Sequence, residues 1–136
     1  MASVTKPITT FEKTVERAVS LLKLHEEQPA LEELDDLIRA AVILSVAGFD
    51  RYFTAKYCDI LVPHLKSGQR IYSELYDSLE AAGLNAKFAL ELLASERPFR
   101  KIRTIVQNSL SSHTTHRDEK IDELFSRIGL KDLRKV

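Results

Sequence analysis

A single cysteine, Cys58, stands in 136 residues, so no disulfide can form within the chain and no thiolate cluster is available for zinc. Tryptophan is absent, and four glycines with four prolines leave few turn markers, which argues against short strands joined by tight turns. Neither sign of charge is in excess: acidic and basic residues number 20 each, and net charge selects no partner. No apolar run approaches the roughly 20 residues that span a bilayer, and the opening MASVTKPITTFEK lacks an apolar signal core. A reducing, cytoplasmic setting with no membrane partner is the expectation. The chain also has no Gly-rich phosphate loop, nucleophile elbow, His-Glu-x-x-His or metal-spaced Cys/His cluster, so no metal and no cofactor are expected.

What is present is helical periodicity. The length suits one domain with a real core, and 44% hydrophobic with 29% charged residues is ordinary globular composition. Phe11, Val15, Val19 and Leu22, widened by Ala18 and Leu21, predict a first helix over about Thr9 to Glu27. Pro29 suits the first turn of a second helix, and the carboxylates of EELDD favour its positive end. That helix is expected to run to about Leu61 and to end at Pro63. Between Ala40 and Phe49 it is apolar nearly all round, which belongs to the middle of a bundle, and Gly48 predicts close approach of a neighbouring helix.

Ile71, Leu75, Leu79 and Leu84 predict a third helix, broken at AAGLN by Gly83 and Asn85. Phe88, Leu90, Leu92 and Leu93 carry a short one up to Pro98. A one-sided stripe of Phe99, Ile102, Val106 and Leu110 follows, with Arg100, Lys101 and Arg103 off it. After the polar connector SLSSHTTHRDEK, Ile121, Leu124, Phe125 and Ile128 form a last short helix with Gly129 as its C-cap. The expected fold is an all-α helical bundle with a long, largely buried second helix.

Charge is unevenly spread. Residues 1–96 hold 10 basic and 15 acidic side chains, and residues 97–136 hold 10 basic and 5 acidic. Either the C-terminal third meets an anionic ligand or the two parts attract each other. Arg97, Arg100, Lys101 and Arg103 have no acid after them before Asp118, and spacing by three puts Arg97, Arg100 and Arg103 along one helical edge suited to phosphate. The alternative is a solvated face, since no aromatic stands among these bases to stack on a nucleobase. His113 and His116 supply too few ligands for a metal, but either can act as a general acid or base near neutral pH. Asp50 and Arg51, adjacent at the end of VILSVAGF, point about 100° apart on a helix. They mark either the helix leaving the core, with Arg51 over Tyr52 or Tyr57, or a polar pair lining a cleft.

The succession LDDLIRAAVILSVAGFDRYFTAKYCDILV, an amphipathic helix and then THRDEKIDELFSRIGLKDL resembles the HEPN-like superfamily, in particular its RiboL-PSP-HEPN type, over about residues 30–133. The resemblance implies a helical bundle, usually a homodimer. It also implies kinship with metal-independent endoribonucleases of toxin–antitoxin and antiphage defence systems, so that RNA and a cognate antitoxin are the implied partners. It puts Asp50 and Arg51 beside the cleft, with Arg100 and Arg103 approaching RNA. The family's catalytic pair is an Arg followed after four to six residues by a His, and no pair here has that gap: Arg17 precedes His25 by eight positions, Arg51 precedes His64 by thirteen, and Arg103 precedes His113 by ten. Two expectations remain open: a chain that is incomplete at its C-terminus, or a degenerate member that binds without cutting. A non-enzymatic interaction module or an antitoxin-like regulator is the alternative.

Overall fold

The computed structural model describes residues 6–27, 35–111 and 118–130. Six helices are found among them: α1 (Pro7–Glu27), α2 (Asp35–Lys66), α3 (Ser73–Ala81), α4 (Ala86–Leu93), α5 (Pro98–Leu110) and α6 (Asp118–Ser126). The fold is all-α, and no strand occurs in the described residues. None of these helices is long and apolar enough to cross a membrane. The chain divides into two compact units, residues 1–53 and 54–136, with the division falling inside α2.

In the first unit α1 meets the front of α2. Its inward face keeps Phe11, Ala18 and Leu21 of the expected stripe but not Val15, Val19 and Leu22, which are exposed. Phe11, Thr14, Ala18, Leu21 and His25, spaced by three and four, form the covered side. Thr14 qualifies because its hydroxyl donates to the Thr10 carbonyl at 3.0 Å, leaving a methyl to pack. That methyl reaches the backbone of Gly48: a Cβ built there would stand 2.6 Å from Thr14 Cγ2. The close approach predicted from Gly48 is thus present, and its partner is Thr14. Phe11 then lies 6.5 Å from Phe49 and 5.3 Å from Tyr52, ring centre to ring centre, and Phe49 stacks edge-on against Phe53 at 4.7 Å. His25 closes the far end on Asp35 at 3.3 Å.

Burial along α2 is uneven. Ala41 and Gly48 are covered, yet Val42 is 58% and Ile43 68% exposed, with Ile38 and Val46 open beside them. The back of the helix carries the deep burial, at Tyr57, Cys58 and Leu61. Pro63 does not end α2, which continues to Lys66. It lacks only the amide that would have bonded to residue 59, and its own carbonyl still accepts from the Ser67 N–H at 3.0 Å.

The second unit has one core, built from Tyr57, Cys58 and Leu61 of α2, Leu75 and Leu79 of α3, Ile102, Val106 and Leu110 of α5, and Leu124, Phe125 and Ile128 at α6. Two helix ends here close the same way. At Gly83 (φ +108°) and Gly129 (φ +85°), the following residue donates five positions back, Leu84 to Leu79 and Leu130 to Phe125, while the glycine donates three back. Both are Schellman caps, which need the left-handed backbone glycine adopts without strain. Asn85 then starts α4, its Oδ1 accepting from the Phe88 N–H at 2.9 Å. None of the α4 residues is buried; this helix lies on α5, and that packing creates the feature described next.

Candidate functional site

The apolar stripe of α5 determines where its charges go. Each residue turns the helix by about 100°, so with Phe99, Ile102, Val106 and Leu110 directed inward, positions 97, 100, 101, 104 and 105 share the opposite side. Arg97, Arg100, Lys101, Thr104 and Ile105 together with Phe88 and Ser95 line an open cleft of about 410 Å³. Its lining contains three cations and no carboxylate. Glu91 and Glu96 stand on neighbouring segments, outside that lining.

The start of α5 adds to the positive charge. Pro98 occupies the first turn, Arg97 at the N-cap offers no side-chain cap, and the first turn holds no acid. The positive end of the helix dipole is therefore left for an external anion to compensate. Two hydroxyls complete the lining. Ser95 Oγ accepts from the Arg97 N–H at 3.3 Å and keeps its own proton to donate. Thr104 donates to the Arg100 carbonyl at 3.0 Å and keeps an acceptor.

Arg103 does not join this group. It falls near the inward edge of α5 and forms an ion pair with Asp59 of α2 at 2.7 Å. Of the four bases predicted to meet nucleic acid, the structure brings Arg97, Arg100 and Lys101 together and commits Arg103 to an internal contact. Phe88 was missed as a site residue: it belongs to another helix nine positions before Arg97, and only the packing of α4 on α5 places it among the cations. Phe99, on the reverse side, has Lys66 Nζ over its ring at 4.7 Å.

Asp50 is half-buried and Arg51 exposed, both in the first unit within the Phe11, Phe49, Tyr52 and Phe53 aromatic cluster's stretch of α2. His113 and His116 lie outside the described residues. Among those described, no group of three His, Cys, Asp or Glu side chains is gathered for a metal.

Two titratable groups lie in the core of the second unit. Burial pushes the Cys58 thiol up to about 11, opposed by Arg103 and helped by Asp59. Burial also raises the Tyr57 phenol, opposed chiefly by the positive charge of Arg127. Ser78, on α3, gives its own proton to the Leu75 carbonyl at 2.9 Å. Tyr57 also meets Phe125 at 5.9 Å, ring perpendicular to ring. This cluster joins α2, α3 and the segment that follows α6, whereas the cleft on α5 is open to solvent.

No protein-family model matches the chain, and neither a curated protein nor a solved structure does.

Proposed function

We propose that this chain is a HEPN-like helical domain that binds RNA through the α4–α5 cleft without cutting it. The observation that carries the reading is the convergence of Arg97, Arg100 and Lys101 on one cleft whose lining has no carboxylate. Two guanidiniums and an ammonium suit phosphate oxygens, the guanidiniums bidentately. The resemblance of residues 30–133 to HEPN-like proteins supports RNA as the polymer. The missing Arg–His spacing supports binding without cleavage, as does the position of His25 and His64, the two described histidines, outside the cleft lining.

Fluorescence polarisation with a labelled single-stranded RNA tests this. The affinity should fall steeply between about 50 and 200 mM salt. Replacing Arg97, Arg100 and Lys101 with Ala together should flatten the slope of log K against log salt by about 2, at roughly 0.7 per phosphate contact. These side chains are exposed or at the surface, so circular dichroism should be unchanged. An unaltered slope in the triple variant refutes the cleft, and metal-free cleavage abolished by Arg51→Ala refutes the non-cutting reading.

A second reading has its own observation. Ile38, Val42, Ile43 and Val46 leave an apolar patch on the front of α2, which a second copy of the chain would cover in a homodimer. Light scattering that gives the mass of two chains for the wild type and of one for Val42→Asp with Ile43→Asp would support it; a wild-type monomer at high concentration would exclude it.

A further inference from the structure

We infer that the ligand unit of the α4–α5 cleft is a nucleoside phosphomonoester, with its phosphate on Arg97, Arg100 and Lys101 and its base against Phe88. This deepens the reading above and rests on it for the phosphate-bearing ligand. Charge is the first ground. A bridging diester carries one negative charge, whereas a terminal phosphate carries about −1.5 to −2 at neutral pH. Three cations, the uncapped start of α5 and no lining carboxylate match the larger charge.

Shape is the second ground. Phe88 and Ile105 supply an apolar aromatic floor directly among the cations, in a volume of about 410 Å³. That is the size of a site for one small ligand (about 300–1,000 Å³). A free or frayed base can lie on Phe88, since every base has a stacking face. Bases stacked inside an A-form duplex cannot reach such a floor. The two hydroxyls supply polar partners of opposite kind: the Ser95 proton suits a phosphate or carbonyl oxygen, and Thr104 Oγ1 suits an amino or ribose hydroxyl donor.

Two sources present this chemistry, a free mononucleotide and the 5′-phosphorylated end of a single strand. The probes are 5′-AMP, adenosine and inorganic phosphate in equilibrium dialysis, and one single-stranded RNA carrying either a 5′-phosphate or a 5′-hydroxyl in polarisation. AMP should bind about tenfold or more tighter than adenosine, because charge-assisted hydrogen bonds to the phosphate are lost in the nucleoside. Arg97→Ala with Arg100→Ala should erase that difference. Phe88→Leu, which keeps an apolar residue in place, should weaken AMP about fivefold or more while leaving inorganic phosphate unchanged.

A tenfold preference for the 5′-phosphorylated strand identifies the strand end as a source. AMP binding with no binding of either RNA identifies the free nucleotide and refutes the RNA reading alone. Equal binding of both strands with no competition by AMP overturns the phosphomonoester inference while leaving the RNA reading intact. Equal binding of AMP and adenosine, or an indifferent Phe88→Leu, also overturns it.

Discussion

Gly48→Ala is the sharpest probe of how the first unit is held together. In an isolated helix the substitution stabilises by about 1 kcal/mol, since alanine gives up less backbone freedom. Here the new methyl would lie 2.6 Å from Thr14 Cγ2 and 3.2 Å from Thr14 Cβ. Carbon pairs attract best at about 3.5–4.0 Å, so the nearer contact is short by about 1 Å. Thr14 cannot simply swing away: its hydroxyl is held by the Thr10 carbonyl at 3.0 Å, and a β-branched residue in a helix has few rotamers. Overpacking of this kind costs about 1–3 kcal/mol, leaving a net loss of about 0–2 kcal/mol. Thr14→Ala deletes the offending Cγ2 and leaves only the 3.2 Å contact, which small shifts relieve. In that background Gly48→Ala should therefore stabilise by about 0.4–1 kcal/mol. The coupling between the two sites comes to about 0.4–3 kcal/mol, measurable by a double-mutant cycle in urea followed by far-UV circular dichroism. If Gly48→Ala stabilises the wild type as much as it stabilises Thr14→Ala, the helices do not cross at this point.

The remaining expectations concern the second unit. Cys58 is 0% exposed and its thiol is pushed from 9.0 up to about 11, so at pH 8 its thiolate fraction is about 100-fold below that of an ordinary cysteine. Iodoacetamide should label it only as fast as the unit opens; labelling of the native protein at the rate of a free thiol would contradict the packing. Because Cys58 holds its proton more tightly when folded, its effect on stability is fully present below about pH 9 and is lost as pH rises through about 11, and Tyr57, raised from 10.0, acts in the same direction above pH 10. The Cys58 share is about 3 kcal/mol for a shift from 9.0 to about 11, and chemical denaturation that shows no decline over this window would exclude it. Arg103→Ala removes an ion pair whose side chains are 32% and 37% exposed, so it should cost about 0.5–1 kcal/mol in thermal or urea unfolding. The same variant should leave AMP and RNA binding unchanged, and a large loss of binding would return Arg103 to the cleft.

How far the sequence carries is set by which residues announce their environment through hydropathy alone. The stripe of α5 was legible because Ile102, Val106 and Leu110 are large, apolar and buried on one side. The face of α1 is legible only in part: Phe11, Ala18 and Leu21 fit the expected stripe, but the close contact is made by Thr14, nominally polar, while the larger Val15 and Val19 point to solvent. Size and hydropathy favour the valines; close approach to Gly48 favours Thr14, and only the packed helices reveal which demand wins. Pro63 misled for a related reason, since a single absent amide near a helix end leaves the later bonds intact.

The site divides along the same line. Grouping Arg97, Arg100 and Arg103 by their spacing of three overlooked the phase of the stripe they share a helix with. Position 103 lies about 20° from position 110 and about 60° from position 106 in projection but about 160° from position 101, so the inward stripe already assigned Arg103 to the core's edge. That much was available from periodicity. Phe88 was not, because no local pattern links a residue of α4 to the outer face of α5 across the Ser95–Arg97 turn. The contact of the two helices turns a basic helix face into a lined cleft that includes the aromatic Phe88, the feature on which the proposed discrimination among phosphates rests. On the proposed reading selectivity therefore depends on tertiary packing, and a substitution on α4 that leaves every cation in place should still change which anion is held.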